Sequence, residues 1–223
     1  MPHALPRLRR RWRLLRLRGH AVECPCCRGR FSSFLPGREP GNPICPRCGA
    51  QARHRALWLY LHERTNLFSG EGLSVLHFAP ERALGGALAA APGIRYLSAD
   101  LDSPSAMEHF DITAIPHPDA SFDVILCIHV LEHVGDDRLA MRELCRVLRP
   151  DGWAVVLVPL DLDRASTYED PSISDPLVRG REFWQADHLR LYGRDFAERL
   201  REAGFSVTVD DWVRGLDPAL VAR

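Results

Sequence analysis

The chain contains no lysine, and all 29 of its basic residues are arginine. We attribute this bias to the coding habits of the source and infer no recognition chemistry from it. No apolar run approaches the roughly 20 residues that cross a bilayer, and the Arg-rich amino terminus has no apolar run of signal-peptide length. We therefore expect a soluble, globular, cytoplasmic protein without a transmembrane segment.

Four cysteines form the clearest pattern in the sequence. Cys24 and Cys27 lie in C-P-C-C, and after seventeen further residues Cys45 and Cys48 lie in C-P-R-C. Two C-x2-C pairs at this spacing are typical of zinc ribbons, in which four thiolates surround one structural Zn²⁺ and leave no position for water. Disulfides, which favour an oxidising compartment, and ordinary buried thiols are the alternatives. Cys26 would be a spare thiol beside the metal.

The formal net charge of zero hides two parts of opposite sign. Residues 1–64 contain fourteen arginines and three glutamates, whereas residues 65–223 contain fifteen arginines and 26 acidic residues. The arginines are densest at 7–18, where leucines and Trp12 separate them. This pattern is typical of an arm on nucleic-acid phosphates or of a helix on a membrane surface, and a loosely docked tail is the third alternative. Nucleic acid is therefore a candidate partner of the basic N-terminal part.

Strand-like and helix-like segments alternate after residue 72, which predicts an α/β fold with a doubly wound, mostly parallel sheet. We divide the chain into a basic arm (1–20), a zinc-ribbon-like module (21–52), a linking helix (53–70) and an α/β domain (71–223). The predicted strands are 73–78, 94–99, 122–128, 153–159 and 204–212, and the predicted helices are 82–91, 136–148 and 192–203. Because such sheets bind ligands at the carboxyl ends of their strands, the residues after 78, 99 and 128 are the first site candidates.

Four motifs follow one another in this domain. They are Y-L-S-A-D-L-D at 96–102, F-D-I-T-A-I-P-H-P-D-A-S-F-D-V-I-L at 110–126, H-V-L-E-H-V at 129–134 and L-C-R-V-L-R-P-D-G-W at 144–153. In this order they resemble the class I S-adenosylmethionine-dependent methyltransferases of the small-molecule branch, over roughly residues 70–212. The resemblance implies a Rossmann-like, seven-stranded sheet with helices on both faces. Since eleven residues follow Trp212, too few for the usual reversed hairpin strand, we expect one strand fewer or a truncated chain.

The resemblance also implies S-adenosylmethionine as cofactor and assigns contacts to it. Asp100, at the end of the second predicted strand, is expected to accept hydrogen bonds from both ribose hydroxyls, which suits a carboxylate because it only accepts. Asp111 is expected to receive the adenine amino group. The other implied contacts lie beside these acids or follow the strand 122–128: Leu101, Ile112, Cys127, Ile128 and His129.

The loop after the first predicted strand departs from the family pattern. Such families usually have an acidic residue followed by G-x-G, so that the backbone can approach the cofactor where a Cβ would block it. This chain has H-F-A-P-E, with His77 at the acidic position, Ala79 at the first glycine and Glu81 near the second. All three are candidate cofactor contacts, and Glu81 could bind the cofactor's ammonium group. A pseudoenzyme that has lost the cofactor is the alternative.

His129, Glu132 and His133 are spaced i, i+3 and i+4, on one face of a helical turn. Their motif resembles the E-x-x-E-H element of small-RNA 2′-O-methyltransferases and of ubiquinone-pathway O-methyltransferases, where it holds a divalent ion near the acceptor hydroxyl. His188, in D-H-L-R-L-Y, could supply a fourth ligand. Without a metal, which is common in the superfamily, His129, His133 or His188 is a candidate general base.

The segment 159–185 is long for a loop in a compact domain, a length typical of lids and binding loops. A plain surface loop is the alternative. Candidate substrate contacts within this segment and just after it are Tyr168, Glu169, Asp170, Trp184, Arg190 and Tyr192.

Two absent motifs narrow the substrate. The chain has no N-P-P-Y or D-P-P-Y, with which methylators of base and glutamine amines grip a planar nitrogen, and its α/β domain has no cysteine pair of the kind that attacks pyrimidine carbon. We therefore favour methyl transfer to an oxygen, nitrogen or sulfur atom of a small or medium metabolite. The alternatives are an RNA methyltransferase, since some zinc-bearing rRNA methyltransferases share this arrangement, and a zinc-ribbon scaffold with an inactive domain. The oligomeric state is not specified.

Overall fold

The computed structural model describes residues 14–37, 42–70 and 72–217. It divides into two compact units. The first contains the described residues up to 70, Glu81–Ile94 and the described residues from Asp210, and the second contains Gly72–Pro80 and Arg95–Val209. Most of the predicted basic arm, residues 1–13, lies outside the described residues. The domain boundaries set from the sequence stay a prediction.

The described part of the first unit includes a hairpin and two helices of eight or more residues. The hairpin is antiparallel, and Arg28 in its turn takes a left-handed conformation (φ 52°) while donating its N–H to the Cys24 carbonyl oxygen at 2.8 Å. This turn carries the first cysteine pair. The predicted linking helix is present and ends at Glu63. The elements are β1 (Arg18–Cys24), β2 (Gly29–Phe31), α1 (Ala52–Glu63) and α2 (Arg82–Ala89).

The second unit is built on a five-stranded sheet whose strands lie in the order β5 (Glu108–His109), β4 (Ile94–Asp100), β3 (Leu73–Phe78), β6 (Phe122–Ile128) and β7 (Leu148–Leu157). The pairs β4–β5, β3–β6 and β6–β7 are parallel. The predicted α/β fold with a mostly parallel sheet is therefore confirmed. The elements are β3 (Leu73–Phe78), β4 (Ile94–Asp100), β5 (Glu108–His109), β6 (Phe122–Ile128), α3 (Asp137–Val147), β7 (Leu148–Leu157), β8 (Tyr168–Glu169), α4 (Pro176–Glu182), β9 (Arg190–Leu191) and α5 (Phe196–Glu202).

The core of this unit lies between the sheet and α3. The helix buries one face, formed by Ala140, Met141, Leu144 and Val147, whose spacing fits the 3.6-residue period of an amphipathic helix. The central strand β6 is apolar and buried along almost its whole length, as expected for a parallel strand covered on both faces. From β3 the chain builds β4 and β5 on one side and then crosses to β6 on the other. The carboxyl ends of β3 and β6 therefore meet where the strand order reverses, the usual ligand position in such sheets.

The predicted final strand at 204–212 is wrong, because residues 205–211 form no strand. Phe205 and Val207 pack against the core, whereas Val209 is 77% exposed. The alternation of apolar residues here serves side-chain packing without pairing of the main chain. The described part of the sheet thus has five strands, where the resemblance implied seven.

Several further boundaries differ from the sequence prediction by a few residues, and two of these differences are the largest. The last helix was expected from residue 192 but begins at Phe196, since Tyr192 pairs with Leu160 in a parallel bridge. The strand expected from residue 153 begins at Leu148, and its pairing with β6 shifts register near the D-G dipeptide. At Gly152 a Cβ would lie 2.7 Å from the Asp123 carbonyl oxygen, so the close approach of the strands there requires glycine.

Across the part of the chain that the structure describes, every helix is too short or too polar to cross a membrane.

Candidate active site and cysteine cluster

Two residues at the carboxyl ends of neighbouring strands take left-handed conformations: Ala79 after β3 (φ 46°) and His129 after β6 (φ 54°). The Ala79 N–H donates to the Ala99 carbonyl oxygen at 2.9 Å, and the His129 N–H donates to that of Leu157 at 2.8 Å. For an L-residue this conformation costs roughly 1–2 kcal/mol, and such strain persists mainly at functional sites. The loop after β3 therefore has a backbone conformation that suits glycine, although the residue is alanine.

Asp100 ends β4 with its carboxylate held by the following loop. Its Oδ1 accepts the N–H groups of Asp102 at 2.9 Å and Ser103 at 2.8 Å. Among the described residues, Oδ2 makes no hydrogen bond. Since a carboxylate oxygen accepts about two hydrogen bonds, Oδ2 retains the acceptor capacity that two ribose hydroxyls require. The neighbouring Leu101 is 61% exposed.

The pair expected around adenine has one exposed and one buried member. Asp111 is exposed, and its Oδ1 accepts hydrogen bonds from the Thr113 main-chain N–H at 2.8 Å and hydroxyl at 2.7 Å. Ile112 is 6% exposed. These contacts fix the orientation of the acid, and its role toward adenine stays a prediction.

Other expected cofactor contacts have buried side chains. His77 is fully buried, with its Nδ1 3.0 Å from the Tyr96 hydroxyl. Cys127 is also fully buried, and burial together with the charge of Glu132 raises the pKa of its thiol. Only the main chain of these two residues could border a ligand in this conformation. Glu81 belongs to the first unit, where its Oε1 lies 3.9 Å from His54 Nε2.

The structure brings together Glu132, His133 and His188, each with one potential ligand atom, and these atoms lie within 4.8 Å of one another. His129 lies beside them, with its Nδ1 3.4 Å from Glu132 Oε1. The ring centroids of His133 and His188 are 4.9 Å apart. Glu132 and His188 are each 1% exposed, whereas His133 is open to solvent. A polar cluster therefore follows β6, at the end of the sheet where a ligand is expected.

Arg190 holds this cluster in place. Its Nη1 donates to the carbonyl oxygens of Leu131 at 2.9 Å and Val134 at 2.5 Å, and its Nη2 donates to that of Gly135 at 2.9 Å. Its Nε donates to the Glu169 carboxylate at 3.0 Å. The side chain is 3% exposed. Arg190 was expected to contact substrate. In the structure it instead binds the turn that carries the cluster.

Tyr192 is likewise buried and not a surface contact. Its hydroxyl donates to Asp137 Oδ2 at 2.8 Å, and Arg199 Nη1 donates to the same oxygen at 3.0 Å. Burial and the charge of Asp137 raise the pKa of Tyr192. The sequence analysis missed Asp137 and Arg199, and the only signal for Asp137 was a second acid directly after Asp136. With exposures of 3% and 0%, Arg190 and Tyr192 have no side-chain surface that could meet a substrate in this conformation.

The remaining candidates for substrate contact lie in the segment 159–185. Trp184 is 53% exposed and left-handed (φ 73°), an outlier for so bulky a residue. Tyr168 is partly buried between the Arg164 guanidinium and the Phe183 ring, at 4.9 Å and 5.3 Å. Contact of either residue with a substrate stays a prediction. Glu169 accepts from two arginines, and Asp170 Oδ1 accepts from Ser172.

The two cysteine pairs come together in the first unit. The Sγ atoms of Cys24, Cys27, Cys45 and Cys48 lie within 4.8 Å of one another, and the pairs Cys24–Cys48 and Cys27–Cys45 are each separated by 3.7 Å. Four sulfurs placed tetrahedrally about 2.3 Å from a zinc ion would be roughly 3.8 Å apart. The observed spacing fits that ion and is far too long for the roughly 2.0 Å of a disulfide.

The four thiols perturb one another's ionisation. Hydrogen bonds from Cys24, Cys27 and Cys48 lower the pKa of Cys45 far below its ordinary range. Hydrogen bonds with Cys26 and with the other three thiols raise the pKa of Cys24. Because four thiolates at this spacing repel one another, ionising all four requires a cation among them. The donor set therefore favours a metal such as zinc.

The comparison with known families bears on the second unit. Residues 73–156 match the family described as "Methyltransferase domain". Over these residues the second unit, with its mostly parallel sheet, is similar to a methyltransferase domain. The strands β3, β4, β5 and β6 and most of β7 lie within the matched residues.

Two curated proteins to which this chain is similar are ajmaline N-methyltransferase from Rauvolfia serpentina and 27-O-demethylrifamycin SV methyltransferase from Amycolatopsis mediterranei (strain S699). The first is 31% identical over 148 residues, which cover 65% of this chain and 48% of the relative. The second is 41% identical over 58 residues, which cover 26% and 21%. The chain therefore spans less than half the length of these relatives.

Among solved structures, the crystal structure of the [4+2]-cyclase SpnF has a TM-score of 0.53 at 17% identity, covering 79% of this chain and 64% of that one. At this identity the similarity concerns the fold alone.

Proposed function

We propose that this protein transfers a methyl group from S-adenosylmethionine to an oxygen, nitrogen or sulfur atom of a small or medium metabolite. The observation that carries the proposal is the arrangement at three strand ends of the methyltransferase domain: Ala79 and His129 in left-handed conformations, and Asp100 with an oxygen left to accept. The names of the two curated relatives, both methyltransferases of small molecules, support the acceptor class.

Three parts of the site would hold the cofactor, which supplies an electrophilic methyl carbon on its sulfonium. Asp100 Oδ2 would accept the ribose hydroxyls, and Asp111 with Ile112 would meet the adenine. The main chain at His129 would border the methionine part. The remaining work of the protein is to align the acceptor and exclude water, so few catalytic groups are needed.

His129 is the general base that we propose for acceptors that must lose a proton. Its side chain is 35% exposed, so that it can reach an acceptor, and its Nδ1 lies 3.4 Å from the buried Glu132 carboxylate. A carboxylate beside one ring nitrogen orients a histidine. His133 and His188 are engaged at their Nδ1 atoms by main-chain carbonyl oxygens.

We also propose that Cys24, Cys27, Cys45 and Cys48 hold one structural zinc ion, which the 3.7 Å sulfur spacing supports. Such thiols must stay reduced, which suits a cytoplasmic location. A nucleic-acid partner was inferred from the arginines at 7–18, most of which lie outside the described residues, and the comparisons give it no support.

Calorimetry with S-adenosylmethionine and with its demethylated product tests the proposal. We expect saturable binding of both, and transfer of the methyl group to at least some members of a panel of phenols, amines and thiols. If neither compound binds at millimolar concentration, the methyltransferase proposal is wrong. The alternative function, a zinc-ribbon scaffold with an inactive domain, is then favoured. Copurifying RNA whose release depends steeply on salt would favour a nucleic-acid acceptor instead.

A further inference from the structure

Two charged side chains of α3 bind the segment 111–119, which carries the residues expected to meet adenine. Arg146 Nη2 donates to the Ile115 carbonyl oxygen at 2.9 Å, and Arg146 Nη1 donates to that of His117 at 2.8 Å. Glu143 Oε2 accepts the Ile115 N–H at 2.9 Å. Both main-chain polar groups of Ile115 are therefore bound by α3.

Glu143 and Arg146 also bind each other. Arg146 Nε donates to Glu143 Oε1 at 2.7 Å, and Arg146 Nη2 donates to Oε2 at 2.8 Å. Two parallel hydrogen bonds of this kind fix the orientation of both side chains. The side chains of Glu143 and Arg146 are only 18% and 30% exposed. The pair is therefore a rigid support for the main chain of the segment that it binds.

Ile115 is linked to Asp111 through a single turn. The Ala114 N–H donates to the Asp111 carbonyl oxygen at 3.0 Å, and the N–H and hydroxyl of Thr113 donate to Asp111 Oδ1. Within the part of the chain that the structure describes, Asp111 Oδ2 makes no hydrogen bond, so it can accept one from a ligand. A movement of Ile115 would therefore displace the Asp111 carboxylate.

We propose that Glu143 and Arg146 are positioning residues of the cofactor site, which hold the turn 111–115 where Asp111 can bind the adenine amino group. They act through the main chain and do not touch the cofactor. Ile112 and Ile115 are buried in the core (6% and 4% exposed) and anchor the turn there. Apolar packing is not directional, whereas hydrogen bonds are, so the α3 pair decides where the exposed acid points. This inference rests on the proposed function.

Binding of S-adenosylhomocysteine, the demethylated cofactor, and of S-inosylhomocysteine tests the proposal. In the second compound a carbonyl oxygen replaces the adenine amino group, so Asp111 loses a donor and faces another acceptor. We expect the wild type to bind the adenine compound at least about tenfold more tightly, because the analogue leaves a polar group of the site unpaired. Calorimetry gives the two dissociation constants, and their ratio is the quantity compared between variants.

Arg146→Lys keeps the charge but loses the forked contacts with two carbonyl oxygens, so it should lower this preference for adenine at least about threefold. Arg142→Lys, which changes an exposed arginine of the same helix, is the matched control and should keep the wild-type ratio. Asp111→Ala should nearly abolish the preference, and adding Arg146→Lys should lower it no further, because both changes remove the same contact. A purely structural role of Arg146 would weaken the binding of both compounds equally and leave the ratio unchanged.

Hydrogen exchange followed by nuclear magnetic resonance gives a readout that needs no cofactor. The Ile115 amide hydrogen, which Glu143 binds, should exchange at least about tenfold faster in Glu143→Ala than in the wild type. Glu198→Ala, which changes a glutamate whose side chain is 64% exposed, should leave this exchange unchanged. If Arg146→Lys does not fold, Glu143→Gln tests the same ratio, since it keeps an oxygen for the Ile115 N–H but loses the paired contact with Arg146.

Two results would overturn the positioning role alone: a wild type that binds both compounds equally well, or an Arg146→Lys protein with the wild-type preference. In either case S-adenosylhomocysteine still binds, so the proposed function stands. If the wild type binds neither compound at millimolar concentration, the proposed function is wrong and the positioning role is refuted with it.

Discussion

The main-chain N–H of Leu189 donates to the main-chain carbonyl oxygen of Glu132 at 2.8 Å, joining two segments that lie far apart in the sequence. Arg190, the next residue, binds the carbonyl oxygens of Leu131, Val134 and Gly135 around the same turn. The carbonyl oxygens of the turn after β6 are therefore bound by a distant segment, which helps to fix the shape of the turn.

Arg190→Lys should destabilise the protein by about 2–4 kcal/mol, since an ammonium cannot reproduce the forked contacts of a buried guanidinium and leaves carbonyl oxygens unsatisfied. Urea unfolding measures the loss. Arg194→Lys is the control, because Arg194 is exposed and donates to one carbonyl oxygen, that of Leu162. Equal stability of the two variants would show that Arg190 does not hold the turn.

Asp100→Ala should weaken binding of S-adenosylmethionine by roughly 30- to 1000-fold, because it removes two charge-assisted hydrogen bonds to the ribose, on the order of 2–4 kcal/mol. Calorimetry measures the change. Asp151→Asn, an exposed acid near the amino end of β7, should bind the cofactor as the wild type does. An Asp100→Ala protein of unchanged affinity would remove Asp100 from the cofactor site.

Ala79→Gly should leave the protein as stable as the wild type or up to about 1 kcal/mol more stable. Glycine relieves the left-handed strain at φ 46°, and this gain slightly exceeds the loss from a more flexible unfolded chain. Ala87→Gly, inside α2, is a control of opposite sign and should lose about 1 kcal/mol. Equal losses in both variants would show that the conformation of Ala79 carries no strain.

Cys45→Ser should abolish zinc binding and lower the melting temperature, because the binding energy of a structural metal is part of the folding energy. Elemental analysis should find about one zinc per wild-type chain. Cys145→Ser, which changes a half-buried cysteine of α3, should keep the metal. A metal-free wild type that is folded and equally stable would refute the structural role.

The stabilising effect of Glu143 should be lost in acid. Hydrogen bonds from Arg146, assisted by the Ile115 N–H, lower the pKa of Glu143 below its ordinary value of 4.5. In the unfolded chain this carboxyl titrates near 4.5, so its stabilising effect is complete above that pH and is lost as the pH falls through the lower, folded pKa.

Urea unfolding between pH 6 and 3 should therefore show a shallower loss of stability in Glu143→Gln than in the wild type. The difference in slope is at most ~1.4 kcal/mol per pH unit, because Glu143 takes up one proton. Glu198→Gln, which changes a glutamate whose side chain is 64% exposed, should keep the wild-type slope. Identical slopes in all three proteins would exclude Glu143 as a source of the acid sensitivity.

The strands beside the site were predictable because their sequences are short apolar runs that end at turns. The predicted bounds 73–78 and 122–128 are those of β3 and β6. The position of Asp100 followed from the next such run, and the cysteine spacing predicted the cluster that the structure shows. In each case the signal lies within a few neighbouring residues.

Only the tertiary structure decided which polar side chains are buried and which partners they bind. Arg190 and Tyr192 look like surface contacts in the sequence, but their partners are the turn after β6 and Asp137. The alternating segment after Gly204 looks like a strand, yet its apolar side chains find the core without a pairing strand. Sequence by itself determined the local periodicity and the metal-ligand spacing. The tertiary structure alone decided which buried polar groups bind each other, because a hydrogen bond between distant segments produces no periodic pattern in the sequence of either segment.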